Sequence, residues 1–187
     1  MRRLVLIRHG QTEASERRLY YGATDLPLTE SGKAMLLAKK DSYPALLPLV
    51  VTSGMLRTEQ TLSCIYGDVP HEIHPELREV DLGIFEMRDY DDVKALPEYQ
   101  AWLAGDWYGN VPPGGESFDQ AEKRIAAAFR VLLRREQDMT AVVHGGTILV
   151  VMPMLFPGER SSSYEWQPAP GGGYAVDLEA HTYETIG

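Results

Sequence analysis

Two histidines and two arginines lie at matching places in this chain. Arg8 and His9 follow the apolar run Leu4-Val5-Leu6-Ile7. His144 follows Val142-Val143 and precedes Gly145-Gly146. Arg57 lies one helical turn beyond Ser53, which closes the run Leu49-Val50-Val51-Thr52. Two guanidiniums and two imidazoles brought together suit a tetrahedral anion, because the planar arginine fork matches phosphate oxygens bidentately. Glycines let the backbone approach closely. Helix N-termini after Ser53 and Gly145 would add donors and dipole. A neutral histidine nitrogen in such a cradle can attack phosphorus in line and form a phosphohistidine. The leaving alkoxide then needs a proton. Glu79, within Leu77-Arg78-Glu79-Val80-Asp81, is the candidate acid, and Glu76, Asp81 and Glu86 compete with it on chemistry alone. An acid protonated near neutrality needs a raised pKa, and burial and a nearby phosphate dianion both push that way. No carboxylate cluster with metal-ligand spacing lies beside these residues, so the arginines must supply the positive charge, and neither metal nor cofactor is expected.

The elements that position these groups follow from periodicity. Arg3 to Ile7 reads as a continuous buried strand. Thr29 caps a helix through Lys40, Leu47 to Thr52 is a second strand, and Ser53 caps a helix through Ile65. Ser117 and Gln120 form a capping box ahead of an amphipathic helix to about Arg135. Thr140 to Val143 is a third strand, Gly146 to Leu155 a helix, and Tyr174 to Leu178 a last, edge strand. Strands alternating with helices give an α/β domain: three layers, a mostly parallel central sheet and helices on both faces. Ligands bind beyond the carboxyl ends of strands in such sheets, which is where Arg8, His9, Ser53, Arg57 and His144 fall. Residues 1–187 read as a single domain. Residues of about 83–115 break the rhythm and read as a small helical or loop subdomain inserted over the site.

The 187 residues carry a formal net charge of −9, which argues against broad binding to a nucleic-acid backbone. A small anionic substrate remains compatible, since local arginines reverse the field in one cleft. The apolar N-terminal run is far too short for a signal or membrane helix, and one cysteine, Cys64, suits a reducing compartment. A cytoplasmic protein acting on a small phosphate monoester, with neither nucleic acid nor membrane as partner, is the expectation.

Four blocks in order resemble the histidine phosphatase superfamily, also called phosphoglycerate mutase-like: Arg8-His9-Gly10-Gln11-Thr12, Ser53 through Thr61, Leu77-Arg78-Glu79, and Val143-His144-Gly145-Gly146. The resemblance implies that His9 is the phosphorylated nucleophile, that Arg8, Arg57 and His144 form the phosphate pocket, and that Glu79 is the proton donor. It also implies substrate contacts from Ser15, Tyr21, Gly22 and Gly145, and no metal. Ser15 stands where many members carry an asparagine, and Met87 where members often have glycine. Tyr21-Gly22-Ala23-Thr24-Asp25-Leu26-Pro27-Leu28-Thr29, Pro113-Gly114-Gly115-Glu116-Ser117 and Tyr164-Glu165-Trp166-Gln167, with the later Gly172-Gly173, are similar to the α-ribazole phosphatase branch. A phosphoglycerate mutase is the rival within enzymes, and a non-catalytic phospho-ligand module the rival from another class.

Other features have plainer readings. His71 and His74 lack a third ligand and read as exposed loop histidines. Cys64 reads as a helix residue against the core. Trp102, Trp107 and Tyr108 fit either a stacking surface for an aromatic substrate or the cement of the inserted subdomain. Asp89, Asp91 and Asp92 read as the acidic start of a helix.

Overall fold

The computed structural model describes residues 2–187. Its sheet has six strands in the order β3-β2-β4-β1-β5-β6: β1 (Arg3–Arg8), β2 (Leu49–Thr52), β3 (Glu72–Ile73), β4 (Met139–Val143), β5 (Gly173–Asp177) and β6 (Thr182–Ile186). β1, β2, β3 and β4 pair in parallel, and β5 joins β1 antiparallel. The period-2 alternation of the strands sorts the core. Leu4, Leu6, Val51, Ala141 and Val143 face α6 (Phe118–Leu133) and α7 (Gly145–Leu155). Val5, Ile7, Val50 and Val142 face α2 (Glu30–Lys39) and α3 (Leu56–Tyr66). Both faces are thus covered, giving the three-layer α/β arrangement that the alternating pattern predicts. Each fully buried Leu or Ile on these faces contributes about 1.5–3 kcal/mol.

Local chemistry sets the element starts. Thr29 accepts from the Gly32 N–H and caps α2. Ser117 and Gln120 form the reciprocal capping box that starts α6. Asp89 and Asp92 do the same for the short α4 (Tyr90–Val93). Residues 83–115 hold α4 and α5 (Pro97–Leu103), with their own apolar cluster of Phe85, Val93, Tyr99 and Trp102.

Several boundaries depart from the sequence reading. β5 is not the edge: β6 pairs with its outer side, and Asp177 holds the connecting turn by accepting from the Glu179 and Ala180 amides. β2 starts at Leu49 rather than Leu47. Ser53 does not cap α3, whose N-cap is Met55, because its hydroxyl faces His144 instead. α7 begins at Gly145, one residue before the expected Gly146. A short helix α1 (Glu13–Arg17), capped by Thr12, was not expected. His71 and His74 are half-buried rather than loose: they flank β3, His71 paired with Glu59 (2.7 Å) and His74 with Glu72 (3.1 Å). No helix among the described residues is long and apolar enough to cross a membrane.

Candidate active site

β1 and β4 run side by side with Arg8 opposite Val143, so the next residue of each strand emerges at the same place. The His9 N–H donates to the Val143 carbonyl (2.9 Å), and the His9 and His144 rings lie 5.3 Å apart, centroid to centroid. Both side chains are buried.

The partners of His9 settle its tautomer. Nδ1 lies 2.8 Å from the Gly10 carbonyl, which can only accept. Nδ1 therefore carries the proton and Nε2 keeps its lone pair. Burial holds the His9 pKa well below the ordinary value, and the Arg57 charge adds to this against the Gly10 bond. The ring is thus neutral at pH 7, with Nε2 as a free nucleophilic nitrogen.

His144 is held the other way round. Its Nδ1 accepts from Arg57 Nε (3.2 Å), so Nε2 bears the proton and donates to Ser53 Oγ (2.7 Å). Burial, then Arg57, keep this ring neutral too. Arg57 is fully buried and donates further to the carbonyls of Thr24 (3.0 Å) and Gly22 (2.7 Å). Three of the five guanidinium N–H groups are spent on the protein and two remain. Tyr21 lies over the guanidinium, 5.4 Å from ring centroid to Cζ, and its ring is 6.2 Å from that of His9.

The loop that supplies those carbonyls hangs on Glu86. One carboxylate oxygen accepts from the Gly22 N–H (3.0 Å), the Thr24 N–H (3.1 Å) and the Thr24 hydroxyl (2.6 Å). The other accepts from the Ala23 and Leu82 amides, each at 3.1 Å. Burial pushes the Glu86 carboxyl up, but the Thr24 hydroxyl and the surrounding amides outweigh it and hold the group below the usual range.

Arg8 donates to the Pro168 carbonyl through Nη1 (2.8 Å), while its buried Nε makes no hydrogen bond within the protein. A buried guanidinium N–H without a partner is costly unless an anion supplies one. Glu79 faces the same space. It accepts from the Gly146 N–H (3.0 Å), and a β-carbon at 146 would overlap its carboxylate. Arg124 on α6 braces this segment from behind, donating to the carbonyls of Glu76 (2.6 Å) and Arg78 (3.1 Å) and pairing with Glu116.

Arg8 and Glu79 open into a cleft of about 510 Å³. Its walls are largely aromatic and aliphatic: Tyr20, Trp107, Tyr108, Phe118, Tyr164, Leu149 and Val150. Arg8 is the one cation among the lining residues. The inserted aromatics divide by position. Trp102 is 6% exposed and sits in the small core, whereas Trp107 and Tyr108, 40% and 37% exposed, face the cleft.

The structure brings together Arg8, His9, Arg57, Glu79, His144, Tyr21, Gly22 and Gly145. Ser15 closes the α1 capping box, its hydroxyl accepting from the Thr12 N–H (2.9 Å) and donating to the Thr12 carbonyl (2.8 Å). Met87 keeps the turn that glycine often makes, at φ 61°. Glu86, read from the sequence as a rival for the acid role, instead holds the loop of Gly22 and Thr24. Arg124 escaped the sequence reading because most of its bonds here go to main-chain carbonyls that no side-chain pattern reveals. Among the described residues, no three His, Cys, Asp or Glu side chains are grouped to hold a metal ion.

A family model described as histidine phosphatase superfamily (branch 1) matches residues 4–184. An adenosylcobalamin/alpha-ribazole phosphatase of Salmonella typhimurium is 30% identical over 190 residues, covering 94% of this chain and 90% of that one. A 2,3-bisphosphoglycerate-dependent phosphoglycerate mutase of Methylobacterium radiotolerans is 30% identical over 174 residues, covering 82% of this chain and 79% of that one. The crystal structure of the alpha-ribazole phosphatase from Shigella flexneri superposes with a TM-score of 0.86 at 28% identity, covering 99% of this chain and 94% of that one.

Proposed function

This chain belongs to the histidine phosphatase superfamily, branch 1, and from that premise we propose that it is a metal-independent phosphomonoester hydrolase working through phosphohistidine. The observation that carries the reading is the free Nε2 of His9, fixed by the Nδ1 bond to Gly10 beside two guanidiniums. The Nε2 lone pair attacks phosphorus. Arg8, through its unsatisfied Nε, and Arg57, through its two spare N–H groups, hold the equatorial oxygens as charge builds. His144 keeps Arg57 in place through Nδ1. As the ester P–O bond breaks, Glu79 gives its proton to the leaving oxygen. Its carboxylate then takes a proton from water. The water oxygen attacks phosphorus, the P–N bond breaks, and its electron pair returns to His9.

The alcohol half of the substrate occupies the aromatic cleft, and α-ribazole phosphate, a phosphate ester with a flat base, is the proposed substrate, alone or within a broader range. The resemblance to α-ribazole phosphatases across nearly the whole chain supports this. A phosphoglycerate mutase is the alternative, which the Methylobacterium relative favours. The cleft argues against it: a phosphoglycerate carries a carboxylate besides its phosphate, and the lining offers Arg8 as its one cation beside Glu79 and Glu122. The test is turnover of α-ribazole phosphate, phosphoglycerates, a sugar phosphate and an aryl phosphate at equal concentration. The reading expects phosphate release, greatest from α-ribazole phosphate. Interconversion of phosphoglycerates without net phosphate release would establish the mutase, and tight binding without turnover would establish a binding module.

A further inference from the structure

Gln167 has no task in the chemistry just described, yet its main chain is closely held. Its N–H donates to the Tyr164 carbonyl (3.0 Å), and the next carbonyl, that of Pro168, accepts from Arg8 (2.8 Å). The side-chain amide lies against Gly145, the first residue of α7. A β-carbon at 145 would overlap the amide nitrogen and stand 3.2 Å from both Cδ and Oε1. One residue further on, the Gly146 N–H binds Glu79. Gln167 is exposed, and its amide lies at the rim of the site, on the side where the leaving oxygen must receive its proton. It lines the cleft with Arg8 and Glu79, and neither its nitrogen nor its oxygen has a partner among the described residues.

An amide presents a donor and an acceptor in one plane. A phosphoryl oxygen only accepts and would use half of it, and two guanidiniums already serve that role. A hydroxyl donates and accepts, and matches both halves. An alcohol half bearing a carboxylate would need a second cation here, and Arg8, the one cation lining the cleft, serves the phosphate. Beyond Gln167 the walls turn aromatic. Building on the hydrolase reading, we propose that Gln167 is a specificity-determining residue that hydrogen-bonds a hydroxyl of the alcohol half, next to the phosphoester. The preferred substrates are then phosphomonoesters of a hydroxylated, sugar-like alcohol that carries a flat apolar group.

The test compares glycerol 3-phosphate with n-propyl phosphate, which differ only in the hydroxyls, in the wild-type enzyme and in Gln167→Met. Methionine keeps the length and packing of glutamine against Gly145 and removes the hydrogen bonds. The expected result is a fall of about 5- to 10-fold in kcat/KM for glycerol 3-phosphate, the usual effect of losing one neutral hydrogen bond. For n-propyl phosphate the change should stay within about twofold, the same residue making no such bond there. Equal losses with both esters, or no loss with either, would overturn the proposal while leaving the hydrolase intact. Failure of the wild-type enzyme to release phosphate from any ester would overturn the hydrolase reading and this proposal together.

Discussion

Replacing Glu86 with glutamine separates the scaffold of the phosphate cradle from the groups that touch phosphate. The carboxylate gathers five donors, three on one oxygen and two on the other. A glutamine that keeps its carbonyl toward Gly22 and Thr24 turns its NH2 toward the Ala23 and Leu82 amides, which themselves donate. Ala23 is exposed and can turn to water, whereas Leu82 is half-buried and is left without its acceptor, at about 1–3 kcal/mol. The three retained bonds change from charged to neutral, about 1 kcal/mol apiece at most. These effects share one side chain and do not add fully, so the expected destabilisation is about 3 kcal/mol. For a chain of this size that lowers Tm by about 6–12 °C. The same loop offers the Gly22 and Thr24 carbonyls that hold Arg57. Loosening it should lower kcat/KM for any phosphomonoester about 10- to 100-fold, the scale of a misplaced binding group. Thermal denaturation and steady-state hydrolysis at 25 °C read both effects. A variant with wild-type Tm and wild-type kcat/KM would refute the reasoning that Glu86 builds the site.

Two further outcomes follow from the same structure. His9 and His144 are buried with pKa values well below the ordinary 6.5, so below about pH 6.5 the unfolded chain binds protons that the folded one refuses. Stability is therefore greatest above that value and falls on acidification, at up to about 2.7 kcal/mol per pH unit for two protons. Glu86, also lowered, continues the loss at lower pH, while His71, raised by its Val69 bond and then by Glu59, opposes it from a partly exposed site. A Tm that is flat or rising from pH 7 to pH 5 would contradict this. Met87→Gly should relieve the left-handed backbone at φ 61°, which costs a side-chain-bearing residue roughly 1–2 kcal/mol. Set against the greater unfolded-state freedom of glycine, the net gain is about 0.5–1 kcal/mol with unchanged kcat. A lower Tm would mean that the packing of the methionine side chain outweighs the backbone strain.

The parts of the fold that position the cradle were legible because they rest on local signals. Apolar runs ending in Arg8-His9 and Val143-His144 mark two strands, and parallel pairing then brings both histidines to one edge. Ser117, Thr29 and Asp89 announce their helices through side chains that cap nearby amides. What escaped depends on distant pairing. β6 carries five residues of modest burial, and only its hairpin with β5 makes it a strand. Ser53 looks like a cap because serine often is one. His144, 91 residues away, claims its hydroxyl instead. Glu86 reads as a rival for the acid role until the loop of Gly22 and Thr24 folds onto it.

Covalent capture of the phosphoryl group tests the central claim most directly. Brief reaction with a radiolabelled phosphomonoester, quenched in base, should leave acid-labile, base-stable label on the protein. That label should map to Nε2 of His9 and be absent from His9→Ala, which should also lose hydrolysis. Label on any other residue, or undiminished turnover by His9→Ala, would contradict the account.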